Sequence, residues 1–373
     1  MRITALFIVL LLTTLPLSGC LESEQTLPAE CTILEGSEGK ANTLRILTYD
    51  IAAFSQEMLD GFTNTSGYEV ELIRTDDAGG ILEQMLQTQG APQADLAVGL
   101  DNTYLQTALD FCLLQPHSTV APNLDPAATM PYEGPYALPF DQGDVCLNVD
   151  EDGLNETERS MPEDLWELTN EEWNGKTAFP SPVTSSPGRA FMIATIDYFE
   201  NDENTTTDAF DWWSAMAQNQ ARFTTGWTEA YEIHYSGGYG GEYVEGHIGD
   251  ALITVSYCHS PGVEAYFSGN STHSTSITIE RSTFHQVEYA GIINGAVNDE
   301  AANAFLSYLL SEEVNRNMPE NNLMLSVLEN PSFPETDGYQ WHADEPELNA
   351  NISMDRIAQS MDTWLELWQA STQ

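Results

Sequence analysis

Leu44-Arg45-Ile46-Leu47, then Val70-Glu71-Leu72-Ile73, then Ala94-Asp95-Leu96-Ala97-Val98 are three apolar runs of strand length, and what separates them decides the fold. Between the first two, Phe54, Met58, Leu59 and Phe62 recur at helical spacing; between the second and third, Ile81, Leu82, Met85 and Leu86 do the same. Apolar residues three and four apart share one face of a helix, which packs against a sheet. Strand, helix, strand, helix, strand in this order predicts a parallel sheet, because parallel neighbours need a crossover between them. Such sheets bind ligands beyond the carboxyl ends of their strands. Here those ends carry Thr48-Tyr49-Asp50, Thr75-Asp76-Asp77 and Gly99-Leu100-Asp101-Asn102. Topology is expected to bring the three polar clusters together.

Downstream, Val145 to Val149 reads as a strand after Pro139-Phe140-Asp141. A second block follows, with helices expected over Pro162 to Leu168 and Phe191 to Tyr198 and a buried strand over Leu252 to Ser256. Val287 to Ile293 reads as another strand. Ala302, Phe305, Leu306 and Leu309 share one helical face, and Ile357, Met361, Trp364, Leu365 and Trp368 another. Stripes of that kind pack cores. The 373 residues suffice for two packed domains.

At the start, Arg2, the apolar run Ala5 to Leu12 and Leu17-Ser18-Gly19-Cys20 form a secretory signal of lipoprotein type. The run is too short to span a membrane, which takes about 20 apolar residues. The expected mature chain begins at Cys20 with a lipid on its thiol, followed by a polar tether to residue 42. The body then sits outside the cell membrane, anchored to it. A net charge of -47, with Lys40 and Lys176 the only lysines, repels nucleic acid and anionic lipid and excludes both as surface partners. Four further cysteines, Cys31, Cys112, Cys146 and Cys258, permit three full disulfide connectivities. Cys112 with Cys146 is one candidate pair, and single buried thiols are the alternative. No CxxC suggests structural zinc, and none of the seven histidines lies in HExxH. With no GxSxG either, nothing marks an enzyme; no metal and no cofactor is expected.

Several segments together resemble the thiamine-binding solute receptors of ABC importers. They are Leu47-Thr48-Tyr49-Asp50, Asp76-Asp77-Ala78-Gly79-Gly80, Ala94 through Asn102, and Pro139 through Asn148. Thr184-Ser185-Ser186-Pro187-Gly188, Gly226-Trp227-Thr228-Glu229-Ala230-Tyr231, Val255 through Pro261 and Gln286 through Gly291 complete the set, which runs in order from 43 to 368. The resemblance implies an α/β fold of class II periplasmic-binding-protein type. Each lobe is a mostly parallel sheet flanked by helices, and crossover strands near Pro139–Val149 and Gln286–Ile293 join the two. Together with the independent lipoprotein-type signal, the expected division is a signal peptide over 1–19, a lipid-anchored tether over 20–42, lobe I over 43–142 and 289–373, and lobe II over 143–288. The implied ligand is thiamine or thiamine phosphate, delivered to a permease and ATPase complex by a monomeric receptor.

Thiamine pairs a cationic thiazolium with a flat aminopyrimidine, so its site needs a carboxylate and aromatic faces. By the resemblance, Asp77, Tyr49, Trp227 and Tyr257 contact the ligand, and Ser185 and Ser186 receive its phosphate or alcohol at a helix start. Each has a plainer use: Asp77 as an N-cap, Ser185 and Ser186 as a capped turn, the aromatic residues as core. Asp50 reads as a helix-start cap. Asp101, Asn102, Asp141, Tyr231 and Leu323 are weaker candidates. Leu323 stands where the family often has an aromatic residue, and Gly262-Val263 where some relatives have a tyrosine, so another small cation or a thiamine precursor is the alternative ligand. A metal ion is disfavoured, since no Tyr-Tyr pair occurs.

Overall fold

The three opening runs pair as read. In the computed structural model, which describes residues 31–34, 42–50, 54–202, 206–238, 245–269, 271–330 and 345–373, they become β1 (Thr43–Tyr49), β2 (Glu69–Thr75) and β3 (Leu96–Asp101). β1 lies between the other two and is parallel to both. The helices Gln56–Ser66 and Ala78–Gln87 make the crossovers. Ser55, not Asp50, opens the first: its side chain accepts from the Met58 N–H, while Asp50 is exposed. The signal, Cys20 and the tether up to residue 30 lie outside the described residues.

The sheet continues through β4 (Leu114–Gln115), β5 (Leu138–Asp150), β6 (Thr177–Pro180), β7 (Arg222–Thr224), β8 (Ile253–Tyr257), β9 (Ser274–Ile277), β10 (Phe284–Ile293) and β11 (Leu325–Ser326). Its main path runs β2-β1-β3-β10-β5-β8-β6-β7. β5 and β10 are the long strands and are antiparallel to each other. β10 pairs along Glu288–Ile292 with β3, and β5 along Val145–Val149 with β8, so these two strands carry the chain from one α/β lobe to the other. β10 slips register at Glu288/Tyr289 against β5 and at Tyr289/Ala290 against β3. Such bulges bend a strand and re-aim its side chains.

Strand alternation divides the first lobe's core. Leu44 and Ile46 enter one apolar cluster with Phe62 and Phe305, and Leu47 enters another with Ile81 and Leu105. The second lobe is built on aromatic packing: Phe179, Phe191, Trp212 and Trp213 are fully buried or nearly so. Ile357, Met361, Trp364 and Trp368 of the last helix, Met354–Ser371, join that same cluster. This helix, expected in lobe I, packs on Ala209–Gln218 of the second lobe and also lies against Leu105–Asp110 of the first, where Met354 joins the cluster of Leu47 and Ile81. Its Trp368 ring meets Trp213 at 6.0 Å and Phe223 at 5.5 Å, edge to face.

Two further readings are corrected. Residues Pro162 to Leu168 hold no α-helix: short 3₁₀ turns at Trp166–Thr169 and Glu171–Trp173 take that place. Cys112 pairs with Cys31 rather than Cys146, and Cys146 pairs with Cys258, at Cα separations of 5.5 and 5.4 Å. Both fall in the usual disulfide range. Cys146 faces the end of β8 because β5 and β8 are sheet neighbours, a relation that sequence distance conceals.

Candidate functional site

Tyr49 ends β1, and its ring lies directly over Gly99 of β3. A Cβ at Gly99 would fall 2.4 Å from Tyr49 Cε1, and the backbone there has φ +108°, so only glycine admits the ring. The Tyr49 hydroxyl donates to Glu288 Oε2 at 2.8 Å and accepts from Asn322 Nδ2 at 2.9 Å. Asn322 Nδ2 also donates to Asp141 Oδ2 at 2.6 Å. Asp141 and Glu288 are register partners across β5 and β10. On the same face as Glu288, Gln286 Nε2 donates to the Tyr257 hydroxyl at 3.0 Å and to Glu288 Oε1 at 3.3 Å.

Asp77 holds the N-cap position of Ala78–Gln87, yet its side chain makes no capping bond. It accepts instead from Ser186 N at 3.1 Å and Ser186 Oγ at 2.8 Å. Ser186 is the first residue of the long helix Ser186–Asn201 in the second lobe, so these bonds join the lobes. The free N–H groups and positive end of a helix favour a carboxylate there. Ser186 Oγ also lies 2.5 Å from Asp101 Oδ2. A hydroxyl has one proton and cannot donate to both acids. Ser186 Oγ can satisfy both contacts only if one acid carries a proton; with the other ionised, the N–H and O–H donors of Ser186 at Asp77 favour the charge there. From the same helix, the Arg189 guanidinium sits 4.0 Å over the Tyr104 ring, a second contact between lobes.

Ser185 is fully buried, and its hydroxyl caps the helix by accepting from Gly188 N at 3.3 Å. Of the two serines, Ser186 is the one that faces the acids. Gly188 lets the helix start lie against β6: a Cβ would fall 2.3 Å from Pro180 O, a backbone atom that cannot swing away. Gly188→Ala is expected to destabilise the protein by about 1–3 kcal/mol through overpacking. Thermal denaturation measures this, and an unchanged melting temperature would contradict the close approach.

The second lobe contributes aromatic faces. Trp227 stacks on Tyr231 with centroids 4.8 Å apart and planes 15° apart, and its Nε1 donates to Ser256 Oγ at 2.9 Å. Tyr231 is buried and bonds Glu264, so it backs the Trp227 ring. A π-helical turn, Glu229–His234, follows Trp227, and Glu229 secures the preceding loop by accepting from Thr225 N and Oγ. Tyr49 and Tyr257, at the ends of β1 and β8, and Trp227, shortly after β7, keep partial exposure.

Two weaker candidates serve other ends. The Asn102 side chain accepts from Val287 N at 3.2 Å and donates to His285 O at 2.9 Å, clamping β3 to β10. Leu323 has φ +58°, and its carbonyl accepts from His259 Nε2 at 2.8 Å. Glu288, Gln286, Asn322 and Arg189 were not singled out from the sequence. For Glu288 and Gln286 a signal existed: polar residues two apart in an otherwise apolar strand share a face. On the opposite face of the crossover strands His285 Nδ1 meets Asp144 Oδ1 at 2.8 Å, and both line a separate cavity of about 840 Å³.

Burial dominates the electrostatics. It pushes the Asp141 carboxyl up to about 8, partly countered by the Asn322 hydrogen bond. Burial, then the charge of Asp141, raises Glu288 far above the ordinary carboxylate range. Asp77 and Asp101 are raised by burial too, against hydrogen bonds from Ser186. A carboxyl with a raised folded pKa contributes stability that is whole below its unfolded pKa, near 4, and is lost as pH rises through its folded value. For Asp141 the loss spans pH 4 to about 8. The melting temperature is therefore expected to fall between about pH 4 and about 8, and less steeply in Asp141→Asn. Equal slopes for both proteins would remove Asp141 from this role.

Among relatives, the thiamine-binding periplasmic protein of Escherichia coli K12 is 22% identical over 334 residues, covering 87% of this chain and 92% of that protein. The thiamine-binding periplasmic protein of Haemophilus influenzae is 22% identical over 294 residues, covering 78% and 80%. Among solved structures, a periplasmic thiamin binding protein superposes with a TM-score of 0.74 at 22% identity, covering 92% of this chain and 99% of that one. A ferric binding protein from Campylobacter jejuni gives 0.66 at 14% identity, over 88% and 99%. These likenesses agree with two α/β lobes joined by crossover strands, the class II periplasmic-binding-protein fold. The profile of the bacterial extracellular solute-binding proteins matches residues 57–320, most of the chain, and the protein belongs to that family of binding proteins.

Proposed function

We propose that the protein captures thiamine or a thiamine phosphate between its lobes and delivers it to the permease and ATPase complex of an ABC importer. One observation carries this reading: Asp77, Asp101, Asp141 and Glu288 converge at the lobe junction with the partly exposed rings of Tyr49 and Tyr257, and the partly exposed Trp227 is bonded to Ser256, the residue before Tyr257. Buried carboxylates are costly without a cation, and flat aromatic faces suit a flat organic one. The 22% identity to the thiamine-binding proteins adds support. In this reading Trp227 and the two tyrosines flank the rings, Tyr231 supports Trp227, and Asp77 faces the thiazolium. The start of Ser186–Asn201 takes the alcohol or phosphate. The receptor works as a monomer outside the membrane, held by lipid on Cys20.

Isothermal titration of residues 21–373 with thiamine, its monophosphate and its diphosphate tests the ligand. Saturable binding of at least one is expected. No binding heat at millimolar ligand limits any interaction to weaker than about -4 kcal/mol and would overturn the proposal.

A further inference from the structure

We propose that Asp141 and Glu288 form a proton-loaded pair on the crossover strands, and that an organic cation entering the cleft displaces that proton. The inference deepens the function proposed above and depends on it for the cation's identity.

The geometry begins with register. Asp141 and Glu288 stand opposite each other on antiparallel β5 and β10, where like charges are unfavourable. Both are buried, at 0% and 5% exposure. A hydrogen-bonded chain links them: Glu288 Oε2 to the Tyr49 hydroxyl at 2.8 Å, that hydroxyl to Asn322 Nδ2 at 2.9 Å, and Nδ2 to Asp141 Oδ2 at 2.6 Å. Asp141 Oδ1 and Gln286 Oε1 are buried acceptors without a hydrogen-bond partner. Two such acceptors beside paired acids suit a cation that carries N–H donors.

The groups around the pair leave its charge uncompensated. β1 brings Tyr49, β8 brings Tyr257 and β10 brings Gln286, none of them cationic. β3 and the Ala78–Gln87 helix bring Asp101 and Asp77, whose charges act against ionising Glu288. Ser186–Asn201 brings Ser186, bonded to those two acids, and Arg189, which lies over Tyr104 and offsets Asp101. Burial of the pair raises both carboxyls, in agreement with the geometry. On binding, one carboxyl O–H bond breaks, its proton passes to water, and the carboxylate left behind pairs with the cation. No covalent bond to ligand forms and no electron is transferred.

Two measurements on the wild type, Asp141→Asn and Glu288→Gln test this, each variant serving as a check if the other fails to fold. The first needs no ligand. Infrared spectra across pH should show a protonated-carboxyl band at neutral pH that fades in alkali and is diminished in either variant. A wild type without the band, or equal bands in all three proteins, overturns the proposal. The second titrates thiamine in buffers of different ionisation enthalpy. About one proton should be released per thiamine bound, with affinity increasing up to tenfold for each unit that the pH is raised towards neutrality, and a flatter dependence in Glu288→Gln. Thiamine binding without proton release overturns the exchange. Absence of thiamine binding counts against the proposed ligand alone, and the infrared result then decides whether the pair is proton-loaded.

Discussion

Trp227→Ala is expected to weaken thiamine binding by about tenfold to thirtyfold while the protein stays folded. A cation on an aromatic face contributes about 0.5–2 kcal/mol, more when desolvated, and each 1.4 kcal/mol is tenfold in affinity. Trp227 already has one face on Tyr231, at 4.8 Å and 15°, so its orientation is set before any ligand arrives. Partial exposure of the ring means its truncation opens no closed core cavity, so folding should survive. Ser256 loses the indole N–H donor but keeps Ser260 Oγ at 2.8 Å. Trp227→Phe should recover part of the affinity, since it restores a face without the indole hydrogen bond. If alanine leaves thiamine affinity within about twofold of a binding wild type, less than 0.5 kcal/mol, the indole lies outside the site.

The second large effect is expected at Asp77. Asp77→Asn should weaken thiamine by about tenfold and an uncharged aminopyrimidine analogue far less, because it removes charge in a cleft that screens poorly. The exchange is close to isosteric. Asparagine Oδ1 can still accept from Ser186 N, and its Nδ2 can donate to Ser186 Oγ, so the contact between lobes has a replacement. No helix cap is lost, since the Asp77 side chain caps nothing. A ligand-selective loss therefore reports on charge. Titrating both ligands into both proteins separates the cases: an equal loss for the two would assign Asp77 to lobe closure and remove it as counter-ion.

Much of the architecture was legible because it is written locally. The strands of the first lobe, their crossover helices and the last amphipathic helix follow from apolar spacing within a few residues. The convergence of Tyr49, Asp77 and Asp101 follows from the rule that parallel strands end on one side. The family resemblance pointed to Trp227, Tyr257 and Ser185; the structure uses the Ser185 hydroxyl as the helix cap, sets the neighbouring Ser186 and Tyr257 in bonds at the lobe junction, and hangs Trp227 on Ser256. Ser185 and Ser186 could not be told apart in sequence: one residue of rotation at a helix start sends one hydroxyl inward as a cap and the other across the cleft.

What the sequence determined by itself is the order of elements and the polar chemistry at the strand ends, since periodicity and chain order are enough for both. Tertiary structure alone decided which groups meet. Asp77 reaches Ser186 across 109 residues and Tyr49 reaches Asn322 across 273. Asp141 faces Glu288 only in the register that β5 and β10 adopt beside the β10 bulge. Cys146 finds Cys258 because β5 and β8 are neighbours, and the last helix sends Trp364 and Trp368 into the second lobe's aromatic core while Met354 packs with the first. The physical reason is common to these cases. Hydrogen bonds, charge coupling and packing act over a few ångströms, and the folded sheet, not distance along the chain, sets those separations.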